Sequence, residues 1–134
     1  MKKITILAIG KVRENWLAEA LTEYEKRLSS EAQISWVLAK DDARLLSLCP
    51  PTYFALDPQG EVHTSESFAA ICAREMHHTF VIGGAEGLPL LLKERAKKKI
   101  RLSSLTFPHQ MTRLILLEQI YRAFQIERNT PYHK

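Results

Sequence analysis

The chain has 134 residues, which suits one domain and is long enough to bury a core. An apolar fraction of 46% and a charged fraction of 25% are those of a soluble globular protein, and no window approaches the roughly 20 apolar residues of a membrane span. The net charge of +4 and pI near 9.2 permit an RNA partner without requiring one, because a solvated surface slightly rich in Lys gives the same figures.

In chain order, Ile4-Thr5-Ile6-Leu7-Ala8-Ile9 is a nearly continuous apolar run closed by Gly10, and reads as a buried strand. It is too short for a signal-peptide core and no small-residue cleavage site follows, so a cytoplasmic protein is expected. Asn15 is placed to cap a helix in which Leu17, Ala20, Leu21, Tyr24 and Leu28 recur at three- and four-residue steps. Ile34–Leu38 is a second strand. Lys40–Leu48 reads as a short helix, ended by Pro50-Pro51. Tyr53–Asp57 is a third strand, after which Pro58-Gln59-Gly60 turns the chain. Thr64 or Ser65 starts a helix with Glu66 in its first turn; Phe68, Ile71, Cys72 and Met76 mark its buried side. Thr79–Ile82 is a fourth strand running into Gly83-Gly84-Ala85-Glu86-Gly87. Leu88–Lys97 is a short helix and Ile100–Leu102 a fifth strand. A long helix over Gln110–Arg128 and a tail, Asn129–Lys134, complete the chain.

Strands alternating with helices predict an α/β fold in a single domain over residues 1–134, with a mainly parallel sheet and helices on both faces. In such sheets ligands bind where loops leave the carboxyl ends of the strands. The loops after Leu56, Ile82 and Leu102 qualify. The last of these, Leu102–His109, is a small-polar stretch between a basic run and the longest apolar helix, too apolar for a solvated linker.

The glycine-rich loop fits neither G-x-G-x-x-G, because Ala85 holds the place of the second glycine, nor a P-loop, because no Gly-Lys-Ser/Thr follows. Its glycines serve either close approach to a ligand or a plain strand-to-helix turn. The cations Lys93, Arg95, Lys97, Lys98, Lys99 and Arg101 offset a helix dipole or contact RNA phosphates. Cys49 and Cys72 form no metal or redox spacing, no histidine has a metal-ligand partner, and no metal is expected. His109 caps the long helix or touches substrate. On that helix Leu114, Leu116, Leu117, Ile120, Tyr121, Ala123 and Phe124 cover about half the circumference, wider than a usual core stripe. Burial against both the sheet and a second subunit explains that width, as does an unusually deep single core. Glu118 and Arg122 are spaced for an ion pair.

Phe80–Leu88 (FVIGGAEGL), Leu102–Phe124 (LSSLTFPHQMTRLILLEQIYRAF) and Asn129–Lys134 (NTPYHK) closely resemble the RlmH-type ribosomal RNA methyltransferases of the SPOUT superfamily. Ala55–Ala69 and the opening strand, with Gly10-Lys11 and Thr22–Arg27, fit the same family, so the resemblance spans nearly the whole chain in order. It implies a SPOUT-type α/β knot, a sheet whose C-terminal part is threaded into a trefoil knot, although periodicity shows nothing of a knot. It also implies a homodimer without a membrane partner. The implied reaction is S-adenosylmethionine-dependent N3-methylation of a pseudouridine in a stem-loop of 23S rRNA, on assembled ribosomes.

Residue by residue, the resemblance places the cofactor site on Leu56, Gly83, Gly84, Leu102, Ser103, Ser104, Leu105, Thr106 and Phe107, the same three loops. It places substrate-side catalytic residues at Arg122, Tyr132 and His133, with His133 as the candidate base. The connection Lys40–Pro51 is shorter than is usual in the family, so no RNA contact is carried over to it. A ribosome-binding factor without catalysis, or a SPOUT enzyme with another RNA target, are the alternatives.

Overall fold

The computed structural model describes all of residues 1–134. Its elements, in order, are β1 (Lys2–Ile9), α1 (Asn15–Leu28), β2 (Ala32–Ala39), α2 (Asp42–Leu48), β3 (Phe54–Val62), α3 (Ser65–Ala73), β4 (His77–Val81), α4 (Leu90–Arg95), β5 (Lys98–Arg101) and α5 (His109–Glu127). The strands form one sheet in the order β2-β1-β4-β3-β5, and every pairing is parallel. This is the parallel α/β sheet that the alternation predicts.

Strand periodicity assigns the two faces. Ile4, Ile6 and Ala8 of β1, with Phe54, Phe80 and Ile100, meet α1, α3 and α5 in the larger core. Leu7, Ala55 and Val81 point the other way, onto Leu45 of α2 and Leu92 of α4. Helices therefore cover both faces. Phe80 at the centre of the larger core has no exposed surface; truncating such a ring costs about 3–5 kcal/mol.

Several local expectations need correction. Asn15 is the first residue of α1 and Glu14 holds the cap position, with no side-chain cap bond. Met76 lies beyond α3 and is 59% exposed, because the helix ends at Ala73. His77 and His78, just beyond it, open β4. Pro58-Gln59-Gly60 does not end β3. Leu56 and Glu61 both pair with Ile100, so Asp57 to Gly60 bulge out and the strand resumes to Val62. Gly60 is what permits this: a Cβ there would sit 2.6 Å from the Lys99 carbonyl carbon.

Thr64 starts α3 as read, capping it in a reciprocal box with Ser67; α2 is capped by Asp41 through the Arg44 amide. From β5 at the sheet edge, the chain returns through residues 102–108 to α5, which packs on α1 and α3. No residue of α5 from His109 to Ile126 is fully exposed, with Leu116, Leu117, Ile120 and Ala123 wholly inside. Much of the broad apolar face is thus consumed by the protein's own core.

Candidate functional site

At the carboxyl end of the sheet is a cavity of about 810 Å³, within the range of small-molecule and cofactor sites. The three loops singled out from strand ends converge on it. Leu56, Gly83 and Gly84 line it, as do Leu102, Ser103, Leu105, Thr106 and Phe107. Ser104 is the exception; it is exposed and stands outside the lining. Leu105 is 74% exposed, so this wall is open on its outer side.

The glycines have a local purpose. A Cβ on Gly83 would lie 2.6 Å from the Gly87 carbonyl carbon, so the loop can fold back on itself only with glycine there. Gly87 has φ +83°, in the left-handed region. Gly84 is less constrained, its nearest neighbour being the Ile9 side chain at 3.7 Å. Close packing of the loop on itself, rather than a phosphate cradle, accounts for the sequence Gly83–Gly87.

α5 starts at the cavity, with His109 and Thr112 among the lining residues. Its first turns are bolted to the β1–α1 loop. Gln110 Nε2 donates to the Lys11 carbonyl (3.2 Å), and Arg113 Nη2 donates to the carbonyls of Ile9 (2.6 Å) and Gly10 (2.8 Å). Arg113 is completely buried, has no carboxylate partner, and leaves Nε and Nη1 unpaired. Burial, and then the charge of Arg13, lowers its pKa. Burial followed by the charges of Arg113 and Arg13 lowers that of His109, which is therefore a neutral imidazole at pH 7.

The tail lies elsewhere in the same subunit. Asn129, at φ 57°, reverses the chain after α5. Tyr132 then donates to Glu118 Oε2 (2.8 Å), packs edge-on against Tyr121 and lies under the Arg122 guanidinium (4.9 Å to the ring centre). Glu118 also receives Arg122, at 2.9 Å, as the four-residue spacing predicts. Burial and the bond to Glu118 push the Tyr132 phenol well above its usual range, so it stays protonated. His133 is held on both nitrogens, Nδ1 by Arg122 (3.0 Å) and Nε2 by Glu66 (2.9 Å). Arg122 can only donate, so Nδ1 accepts and the proton sits on Nε2. Glu118 comes nine residues after His109, about 13 Å along the helix axis at 1.5 Å per residue. Arg122, Tyr132 and His133 are brought together, but not into their own subunit's cavity.

The basic run is partly neutralised. Lys93, Lys97 and Lys98 lie within 4 Å of Asp57, Glu75 and Glu61 respectively. Lys98, Lys99 and Arg101 belong to edge strand β5, where charge discourages pairing with another sheet. No group of three or more His, Cys, Asp or Glu side chains is placed to hold a metal ion. No helix is long and apolar enough to cross a membrane.

A family model described as "Predicted SPOUT methyltransferase" matches residues 1–133. The chain belongs to the SPOUT methyltransferase family. A ribosomal RNA large subunit methyltransferase H from Protochlamydia amoebophila is 48% identical over 141 aligned residues, covering 100% of both chains. Another of that name, from Pelotomaculum thermopropionicum, is 42% identical over 159 aligned residues, covering 99% of each. The 159 aligned positions exceed this chain's 134 residues, so that SPOUT relative carries insertions that are absent here. A probable methylase family protein from Haemophilus influenzae shares the fold, with a TM-score of 0.59 at 11% identity, over 98% of this chain and 70% of its own.

Asp57, Lys93 and Thr112 also line the cavity, though the sequence points to none of them as a cofactor-site residue. Asp57 sits in an Asp-Pro-Gln-Gly stretch that reads as a surface turn, and Lys93 in a run that reads as a solvated face. The first signal available was that Asp57 directly follows Leu56 at a strand end.

Proposed function

We propose that this protein transfers a methyl group from S-adenosylmethionine to N3 of a pseudouridine in a stem-loop of 23S rRNA, on assembled ribosomes. The observation that carries this reading is the convergence of the three strand-end loops on one cavity, in a chain whose full-length relatives are named large-subunit rRNA methyltransferases. The cavity's volume suits a folded nucleoside with a short side chain, and its walls offer backbone groups and apolar surface rather than a phosphate site. S-adenosylmethionine, when bound, supplies a methyl group on a sulfonium, already a good leaving group.

The residues then have two tasks. The first is alignment, which contributes roughly 7–11 kcal/mol in the best intramolecular cases. The bolts from Gln110 and Arg113 to the β1–α1 loop fix the start of α5, and with it the wall formed by residues 102–108. The second is removal of the imide proton. We assign this to His133, whose Nδ1 must exchange Arg122 for the substrate. A positioned base contributes about 10²- to 10⁴-fold. Tyr132, kept protonated, orients or stacks on the target base.

We further propose a homodimer in which one subunit's tail completes its partner's cavity. Two features support it: the tail docks away from its own cavity, and Trp16, in the first turn of α1, is a large apolar side chain left 53% exposed. The test is one incubation of the protein and labelled donor with ribosomes lacking the modification. Label at a single 23S pseudouridine is the expected result, with free rRNA and separated subunits labelled poorly. Label at another nucleotide would establish a different target. A protein that binds ribosomes but gives no heat with S-adenosylmethionine would be a non-catalytic ribosome-binding factor.

A further inference from the structure

We infer that Asp57 is a cofactor-binding residue that grips the ribose hydroxyls of the methyl donor; this rests on the cavity being the donor site. Asp57 is placed by the irregularity in β3. Residues 57–60 leave the ladder between Leu56 and Glu61, and a break of this kind re-aims a side chain. The Asp57 side chain is only 4% exposed, yet it lines the cavity. Glu86, the other acid of the lining, lies exposed on the rim.

The carboxylate is oriented but unfinished. Its Oδ1 accepts from the Gln59 amide at 3.0 Å, which fixes the plane of the group. Lys93 Nζ stands 3.8 Å from that same oxygen, too far for a hydrogen bond but close enough to offset the charge. Oδ2 receives no hydrogen bond from the protein, and is not sealed inside it. A carboxylate offers about four acceptor sites. The protein fills only one of them, and leaving the others bare in so enclosed a position is costly unless a ligand or water fills them.

The chemistry of the donor narrows what fills them. A nucleoside presents two adjacent hydroxyl donors on its ribose, spaced to meet one carboxylate. The α-ammonium and the sulfonium are the competing donors or charges. Lys93 already balances Asp57, so a second full cation gains little there, whereas neutral hydroxyls gain charge-assisted bonds. An acid at the carboxyl end of a parallel strand holding a ribose is the solution that dinucleotide-binding sheets also use.

Calorimetry on the full-length protein tests this with four ligands: S-adenosylmethionine, S-adenosylhomocysteine, adenosine and 2′,3′-dideoxyadenosine. Asp57→Ala is expected to weaken the first three by a common factor of about ten- to a hundredfold, the effect of losing charge-assisted hydrogen bonds. Wild-type preference for adenosine over its dideoxy analogue should disappear in the variant. Asp57→Asn, which keeps one acceptor, should fall between; it also carries the test if the alanine variant does not fold. The assignment is overturned if adenosine binding is unchanged while S-adenosylmethionine binding falls, which would make the ammonium or sulfonium the partner. It is equally overturned if the adenosine preference survives in both variants. A wild-type protein that binds none of the four would overturn the donor-site reading itself, and this assignment with it.

Discussion

His78 shows how one buried side chain couples the fold to pH. It is 3% exposed, lies against the rings of Phe54 and Phe80, and its Nε2 donates to the Cys72 carbonyl at 3.0 Å. Burial depresses its pKa below the ordinary 6.5. The unfolded chain therefore takes up the proton first as pH falls, and the stability that neutral His78 contributes is full above 6.5 and lost on going down through the folded pKa. Thermal melts between pH 7.5 and 5.5 should show a steeper loss for wild type than for His78→Gln, which keeps a donor toward Cys72 but cannot titrate. Equal slopes would clear His78 of the role. Cys49 and Cys72 behave more simply, since burial raises them to about 11 and about 12 and both remain protonated thiols at neutral pH. At this scale the sequence is unevenly legible. Leu56, Gly83 and Phe107 stood out because they end strands or belong to recognisable stretches. Asp57 and Arg113 did not, because nothing in a residue's identity says that its side chain is buried.

At the scale of elements, the glycine loop offers a sharp test. Gly83→Ala forces a Cβ into the backbone at Gly87–Leu88, and that backbone cannot yield without moving a cavity wall. A loss of about 1–3 kcal/mol is expected, as for other overpacked sites. Gly84→Ala meets only the Ile9 side chain at ordinary contact distance and should unfold at nearly the wild-type denaturant midpoint. If both variants melt alike, self-packing of the loop is not what the glycines are for. A helix start is legible where a side chain signs it, as Thr64 does for α3. The far end of β3 is hidden in the sequence because Asp-Pro-Gln-Gly is turn chemistry wherever it occurs. Whether a strand resumes after such a turn depends on the neighbour, here Ile100 and Arg101 of β5.

For the whole molecule, the tail decides what must be asked. In its own subunit it is fastened to Glu118 and Arg122, roughly two to three turns along α5 from the cavity-lining Thr112, and to Glu66 of α3. If a dimer brings each tail to its partner's cavity, two impaired variants should rescue each other when assayed at a donor concentration too low to saturate the Asp57→Ala protein. Mixing a His133→Ala protein with an Asp57→Ala protein, after unfolding and refolding together, should restore methylation from the one composite site that is intact. Activity no higher than that of the separate variants would place each tail in its own subunit's site.

The parallel sheet, the helices on both of its faces and the three candidate loops were present in the sequence, because they follow from short-range rules. Apolar runs of strand length alternate with helical periodicity, and punctuation falls at their ends. Membership of the SPOUT methyltransferase family was legible too, in long ordered stretches such as LSSLTFPHQ. The strand order, the bulge that turns Asp57 inward, the burial of Arg113 without a counter-ion and the docking of the tail on Glu118 were decided only by tertiary structure. Each depends on which distant segments meet, and neither composition nor periodicity encodes that.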